Sequence, residues 1–224
     1  NRMNSILVIA PHPDDEVIGV GGVISINVKQ GNMVCVCFIT KGCEPLFSPQ
    51  SVEILRSEAR ECHKTLGVSE TIFLDFPAVM LEKENRYEIN GKVLEVIQRI
   101  KPDEVYIPHW GDMQKDHQIV AEACMVALRP KYDHKVSRIY SYETLSETGW
   151  NAPNIQNEFI PNVYVDISEQ LQAKLDAMKA YQTQLSDYPN PRSLEAVEAL
   201  AKYRGSTVNV RAAEAFMLIR EIRL

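Results

Sequence analysis

Short apolar runs separated by helix-length amphipathic stretches set the first constraint on this chain. Runs suited to buried parallel strands occur at residues 6–10, 34–40, 71–74, 104–108, 139–142 and 163–167. Between them, Val52, Leu55, Ala59, Cys62 and Leu66 mark one helical face, which Gly67 closes just beyond the helix end. Val93, Leu94, Ile97 and Ile100 mark a second face that ends before Pro102. Val120, Ala123, Cys124, Ala127 and Leu128 mark a third, ending at Pro130. Alternation of this kind predicts a Rossmann-like α/β fold, a mostly parallel sheet flanked by helices. At 224 residues the chain is sized for one domain, taken as 1–224.

After Asp166 the pattern turns helical. Ser168 is expected to cap a helix carrying Leu171, Leu175 and Met178, and Ser193 one that ends at Gly205. Ala212, Ala215, Phe216, Ile219 and Ile222 predict a terminal helix. Residues 76–90 and 143–161 show no clear period, and long loops of this sort often line sites.

Chemistry concentrates at two strand ends. The first apolar run stops at Pro11-His12-Pro13-Asp14-Asp15-Glu16, followed by Gly19-Val20-Gly21-Gly22. Open α/β sheets place ligands at such a strand's carboxyl tip. Asp14 and Asp15 repel each other, so burying both requires a cation or a shared proton, and a divalent metal is the simplest answer. The second cluster, His109-Trp110-Gly111-Asp112-Met113-Gln114-Lys115-Asp116-His117, follows the run Val105-Tyr106-Ile107. His117 then opens a helix, whose positive end favours a neutral imidazole able to bind metal. His12, Asp15 and His117 make a two-histidine, one-carboxylate set with room for water, as in catalytic zinc sites. Asp14 is left free as a general base.

The remaining histidines and the glycines read differently. His63 sits beside a helix core face and is expected to be structural. His134, among Lys131, Tyr132, Asp133 and Lys135, is expected in solvent, and His109 is balanced between a site residue and a strand-end polar residue. The glycines do not form GxGxxG, and three adjacent carboxylates would repel a pyrophosphate, so close helix–sheet packing is their expected role.

Bulk properties exclude several classes. A net charge of −6 argues against a general nucleic-acid or anionic-membrane surface. Nothing approaches the roughly 18 continuous apolar residues of a membrane span. Five cysteines without a CxxC pair, and no apolar leader before the first strand, suit a reducing cytoplasm. Cys35 and Cys37 alternate within an apolar run and should share one core face.

Together these motifs resemble the PIG-L/LmbE deacetylases, which include N-acetylglucosaminyl-phosphatidylinositol de-N-acetylases and bacterial mycothiol and bacillithiol deacetylases. The resemblance rests on residues 11–16 with the following glycines, Phe38-Ile39-Thr40-Lys41-Gly42, Glu58-Ala59 leading to Leu66-Gly67-Val68, and Asp116-His117. Arg204-Gly205 followed by Ala213-Glu214-Ala215-Phe216 is similar to the C-terminal pattern of one bacterial branch. The resemblance implies that His12, Asp15 and His117 bind zinc or another divalent metal, that Asp14 activates water, and that Asp116 belongs to the catalytic set. It also exposes a departure. Many members carry a histidine three residues before the second metal-binding histidine, where this chain has Gln114. A glutamine amide can donate a hydrogen bond but cannot act as an acid near neutral pH. Either the metal carries more of the oxyanion charge or His109 supplies the function.

The expected reaction is zinc-dependent removal of an N-acetyl group from a small molecule containing an amino sugar. Two alternatives stand beside it: the same site acting on another amide or a phosphoester, and a non-catalytic sugar- or nucleotide-binding protein. The expected partner is the small N-acetylated sugar, without nucleic acid or a membrane span, and a homo-oligomer is left open. Residues 76–90 and 143–161, with the Arg204 region, are expected to shape the pocket; Arg56 is a weaker candidate for a polar substrate contact, with surface solvation its expected role.

Overall fold

Five consecutive apolar side chains leave a strand no polar face, and the structure buries both of its sides. In the computed structural model, which describes residues 3–223, β1 (Ser5–Ala10) runs through the middle of a seven-stranded sheet. Ile6, Val8 and Ala10 face one core, and Leu7 and Ile9 face the other. The sheet order is β3-β2-β1-β4-β5-β7-β6. Here β2 is Met33–Lys41, β3 Glu70–Pro77, β4 Glu104–Pro108, β5 Arg138–Tyr142, β6 Val163–Asp166 and β7 Ala213–Glu221. Strands β1 to β5 pair in parallel, and β7 runs antiparallel between β5 and β6.

Helices cover both faces, as crossovers between parallel strands require. The core against α1 (Asp15–Lys29), α2 (Pro49–Leu66) and α5 (Leu171–Met178) includes Val17, Val20, Ala59, Cys62 and Met178. The core against α3 (Arg86–Ile100) and α4 (Lys115–Ala127) includes Val93, Ile97, Val120 and Cys124. Cys35 and Cys37 both point into this second core, and burial pushes the Cys37 thiol up to about 12. All five cysteines are unpaired. No helix among the described residues is long and apolar enough to cross a membrane.

Gly67 ends α2 at φ 81°, the left-handed position a glycine takes without strain. Gly19 answers a different need. A Cβ there would lie 2.3 Å from the Tyr142 ring, so the glycine lets α1 press directly on β5.

Two expectations fail. The terminal helix is the strand β7. Its residues 213–216 are all buried, Phe216 in the core against α1 and α2 and Glu214 against Val23 of α1, so the strand lacks an alternating polar face and the spacing imitates a helix. Ser168 does not cap α5, whose N-cap is Gln170; its hydroxyl bonds Asp166 and accepts from the Ala212 N–H instead. Ser193 does cap α6 (Leu194–Ser206), accepting from Ala196 N at 3.1 Å.

The chain leaves β1 toward β2 and β3 on one side, then returns to β4 and β5 on the other. Strands β1 and β4 therefore flank the switch point, where the diverging loops open a crevice at their carboxyl ends. His12 and Asp15 follow β1, and His117 follows β4.

Candidate active site

The loop after β1 is held from several sides. The Pro11 carbonyl accepts from Thr40 Oγ1 at 2.8 Å and Thr40 N at 3.2 Å, which ties the loop to the end of β2. Asp14 caps α1 at φ 106°, a left-handed conformation unusual for a residue with a side chain. Its N–H donates to Glu16 Oε2 at 2.9 Å. Glu16 Oε1 bonds His63 Nε2 at 3.0 Å and accepts from the Tyr181 hydroxyl. His63 Nδ1 bonds Thr71 Oγ1 at 2.6 Å, and its ring stacks on Phe38. His63 thus has the packing role expected of it, with a polar function added.

Three donors converge beside this loop. Asp15 Oδ2 lies 3.4 Å from His12 Nδ1 and 3.1 Å from His117 Nε2. One donor atom from each residue falls within 4.8 Å of the others. His117 Nε2 is buried with no hydrogen-bond partner, the condition of a ligand atom turned toward a cation. The outer ring nitrogens are fixed by carboxylates: His12 Nε2 on Asp116 Oδ2 and His117 Nδ1 on Asp112 Oδ2, each at 2.8 Å. Such partners set ring orientation and raise ligand basicity. The residues present fit a divalent cation with two imidazoles and one carboxylate.

Asp116 thus stands behind His12 and outside the cavity, where it also accepts from Val79 N at 2.6 Å and Leu81 N at 3.3 Å. Its contact with the site runs through His12. Asp112 performs the matching task for His117 and accepts from Thr148 Oγ1. An acid five residues before a candidate ligand was the available signal.

Charge balance follows from this packing. Burial lowers the His117 imidazole, but Asp15 and Asp112 outweigh it and raise the group to about 10. The helix start was expected to keep this ring neutral; two carboxylates in direct contact prevail over a helix end. Burial likewise lowers His12, and the bonds to Asp116 and Asp15 raise it overall. Burial would raise Asp15, yet His117 and His12 hold it well below the ordinary carboxylate range. Asp14 moves the other way: burial pushes it up to about 7 against the pull of Arg192.

Arg192, from the segment between α5 and α6, is the functional residue that sequence reasoning missed. Its guanidinium bonds Asp14 Oδ2 and donates from Nε to Ser146 Oγ at 3.0 Å. It also lies 3.7 Å from Asp15 Oδ1 and 3.8 Å from Glu147 Oε1. The burial of Asp14 beside Asp15 is therefore answered by an arginine as well as by a candidate metal-ligand set. No motif marks Arg192, which is 178 residues from its partner.

A cavity of about 330 Å³ opens over this cluster, with His12, Asp14, Gln114, Glu147 and Arg192 along one side. Gln114 is the N-cap residue of α4, makes no side-chain cap bond, and leaves a buried Oε1 without a partner. His109 does not reach the cavity. Its Nε2 bonds the Asn157 carbonyl at 2.8 Å, and its ring packs on Trp110 and Phe159. Of the two irregular stretches, Ala78, Val79 and Glu147 line the cavity, whereas Arg204 pairs with Glu143 away from it. Arg56, expected in solvent, lies on the cavity wall over Phe73 and bonds Asp75. His134 is half-buried and bonds the Pro102 carbonyl at 2.8 Å rather than standing free in solvent.

A two-histidine, one-carboxylate set beside a buried acid, at the switch point of an α/β sheet, is a donor arrangement that could hold a divalent cation in an enzyme site. The chain belongs to the PIG-L family, described as GlcNAc-PI de-N-acetylase, which its residues 7–128 match; it is an N-deacetylase. It is 29% identical over 190 residues to a probable N-acetyl-alpha-D-glucosaminyl L-malate deacetylase 2 of Bacillus subtilis, covering 80% of this chain and 82% of that protein. It is 25% identical over 236 residues to a diacetylchitobiose deacetylase of Thermococcus kodakarensis, covering 100% and 86%. Among solved structures it is similar to the conserved protein TT1542 from Thermus thermophilus, with a TM-score of 0.81, 26% identity, and coverage of 99% and 97%.

Proposed function

We propose that this chain hydrolyses the acetamide of a small amino-sugar compound, with zinc held by His12, Asp15 and His117. The observation that carries the reading is the convergence of His12 Nδ1, Asp15 Oδ2 and the buried, unpartnered His117 Nε2, next to Asp14 at the cavity wall. When bound, such a cation supplies Lewis acidity to a carbonyl oxygen and lowers the pKa of a water toward ~7.

The chain's own groups supply the remainder. Asp14 Oδ1 is buried and unpartnered, whereas Oδ2 is held by Arg192, so Oδ1 accepts the attacking water's proton and later returns it to the departing amine. Arg192 fixes that carboxylate's orientation. Gln114 faces the same space, and a half-turn of its amide presents Nε2 to the carbonyl oxygen as charge develops. The relatives named for N-acetylated sugars support the substrate class. The unpaired cysteines fit a reducing cytoplasm.

The test measures acetate release from N-acetyl sugars and phosphate release from phosphoesters, with metal content determined on the same protein. Asp14→Asn should retain metal and lose roughly 10²–10⁴-fold in turnover. Phosphate release without acetate release would replace this reading with a phosphoesterase.

A further inference from the structure

Besides the charged cluster, the cavity is lined by Phe47, Val52, Ile54, Leu55, Phe73 and Val79. They come from the β2–α2 connection, the first turns of α2, strand β3 and the loop after it, so separate parts of the chain contribute to one apolar wall. Phe47, Ile54 and Val79 remain 37%, 44% and 43% exposed at its rim. Core packing does not account for Ile54. The buried face of α2 carries Ala59, Cys62 and Leu66 with Leu55, and Ile54 lies about 100° round the helix from Leu55. Apolar side chains gathered at a cavity mouth and bordered by polar groups mark a ligand surface.

The wall is also closely fitted. A Cβ at Gly42 would lie 2.9 Å from the Phe47 Cβ and 3.0 Å from Val52 Cγ2, so the glycine lets the connection run tight beneath both side chains. The nearby cation Arg56 lies 4.4 Å over the Phe73 ring and is paired with Asp75, so its charge is already opposed. A bare amino sugar carries hydroxyls around its ring, and setting them against this wall would remove their water without replacing its hydrogen bonds. An apolar group placed there gains in proportion to the area it buries.

Building on the deacetylase reading, we propose that the substrate is amphiphilic: an acylated amino sugar bearing an aryl or alkyl substituent that lies against this wall. The substituent can enter as the glycosidic group or as the tail of the N-acyl group, and both present the same chemistry to Phe47, Ile54 and Leu55.

The full, metal-loaded chain is tested on the methyl, phenyl and butyl glycosides of N-acetylglucosamine and on the methyl glycoside of N-hexanoylglucosamine, reading free amine. The kcat/KM of the phenyl and butyl glycosides, or of the hexanoyl amide, should exceed that of the methyl N-acetyl glycoside by roughly tenfold or more. The series that rises identifies which end of the substrate meets the wall. Ile54→Ser and Phe47→Ser should each shrink that ratio. Equal kcat/KM across both series would overturn the proposal, as would a preference for a carboxylate-bearing glycoside, which would assign the rim to Lys41 and Arg56. Calorimetric binding of the same compounds to Asp14→Asn protein separates the two readings. Tighter binding of the apolar members with no amide hydrolysed by the wild type would keep the wall and discard the deacetylase. Equal binding throughout would discard the wall whatever the turnover.

Discussion

The backbone N–H of Asp14 donates to the side chain of Glu16, two residues on, at 2.9 Å. That bond holds the acid beside the candidate metal-ligand set in a left-handed conformation, φ 106°. Glu16 is itself held by His63 and Tyr181, both buried. We therefore expect Glu16→Gln to weaken the bond that aims Asp14, because an amide has one accepting oxygen where the carboxylate has two. Turnover should fall roughly 10–100-fold, as misplacement of a reacting group does, with KM and metal content little changed. His63→Gln, which preserves a donor, should lose less than His63→Leu. If both His63 variants and Glu16→Gln change only the melting temperature, the network is structural alone.

Asp112 and Asp116 fix the ring nitrogens of the two histidines. Asp112→Asn should weaken metal binding by roughly 10–100-fold without removing a ligand. His117→Ala should abolish binding while the fold persists. Because His117 is raised to about 10 by its carboxylate partners, a cation must displace a proton. Affinity should therefore rise as pH increases from 6 to 8, by competition titration against a chelator. A flat profile would mean that the ring binds metal already neutral.

Gln114 and His109 make opposite use of one loop. Gln114 faces the cavity with an unpartnered atom, whereas His109 is turned onto the Asn157 carbonyl. Gln114→Ala should lower kcat roughly tenfold or more with metal retained. His109→Ala should have the smaller effect on kcat and act chiefly on thermal stability. The reverse order would return the oxyanion role to His109.

Glu214 is buried against α1, accepting from Val23 N at 3.0 Å, with Lys174 at 3.8 Å. Burial pushes it from 4.5 up to about 7. A carboxyl raised on folding stabilises the protein fully below its ordinary value, and that contribution is lost as pH rises through the raised one. At about 1.4 kcal/mol per pH unit, the loss between pH 4.5 and 7 amounts to roughly 3 kcal/mol. Burial lowers Lys174 too, which acts in the opposite sense toward alkaline pH. Denaturant titrations at pH 5 and 8 should show this decline in the wild type and a shallower one in Glu214→Gln. Identical slopes would locate the proton elsewhere.

What could be read from the chain alone was what neighbours along it decide. Apolar runs with no polar face must be buried on both sides, so the central strands and their covering helices were legible. The sequence around His12, Asp14 and Asp15 likewise packs donors and an acid into four residues at a strand tip, where the sheet topology brings the His117 loop alongside.

Pairings across long separations were not legible. Strand β7 looked helical because residues 213–216 are buried on both faces, and only the assembled sheet shows them paired between β5 and β6. Arg192 carries no local signature, and it meets Asp14 because the segment between α5 and α6 returns over the end of β1. Glu16, His63 and Tyr181 become one network only once α1, α2 and the segment just after α5 pack on a common core. Local periodicity records which residues must leave water; tertiary packing alone decides which of them meet.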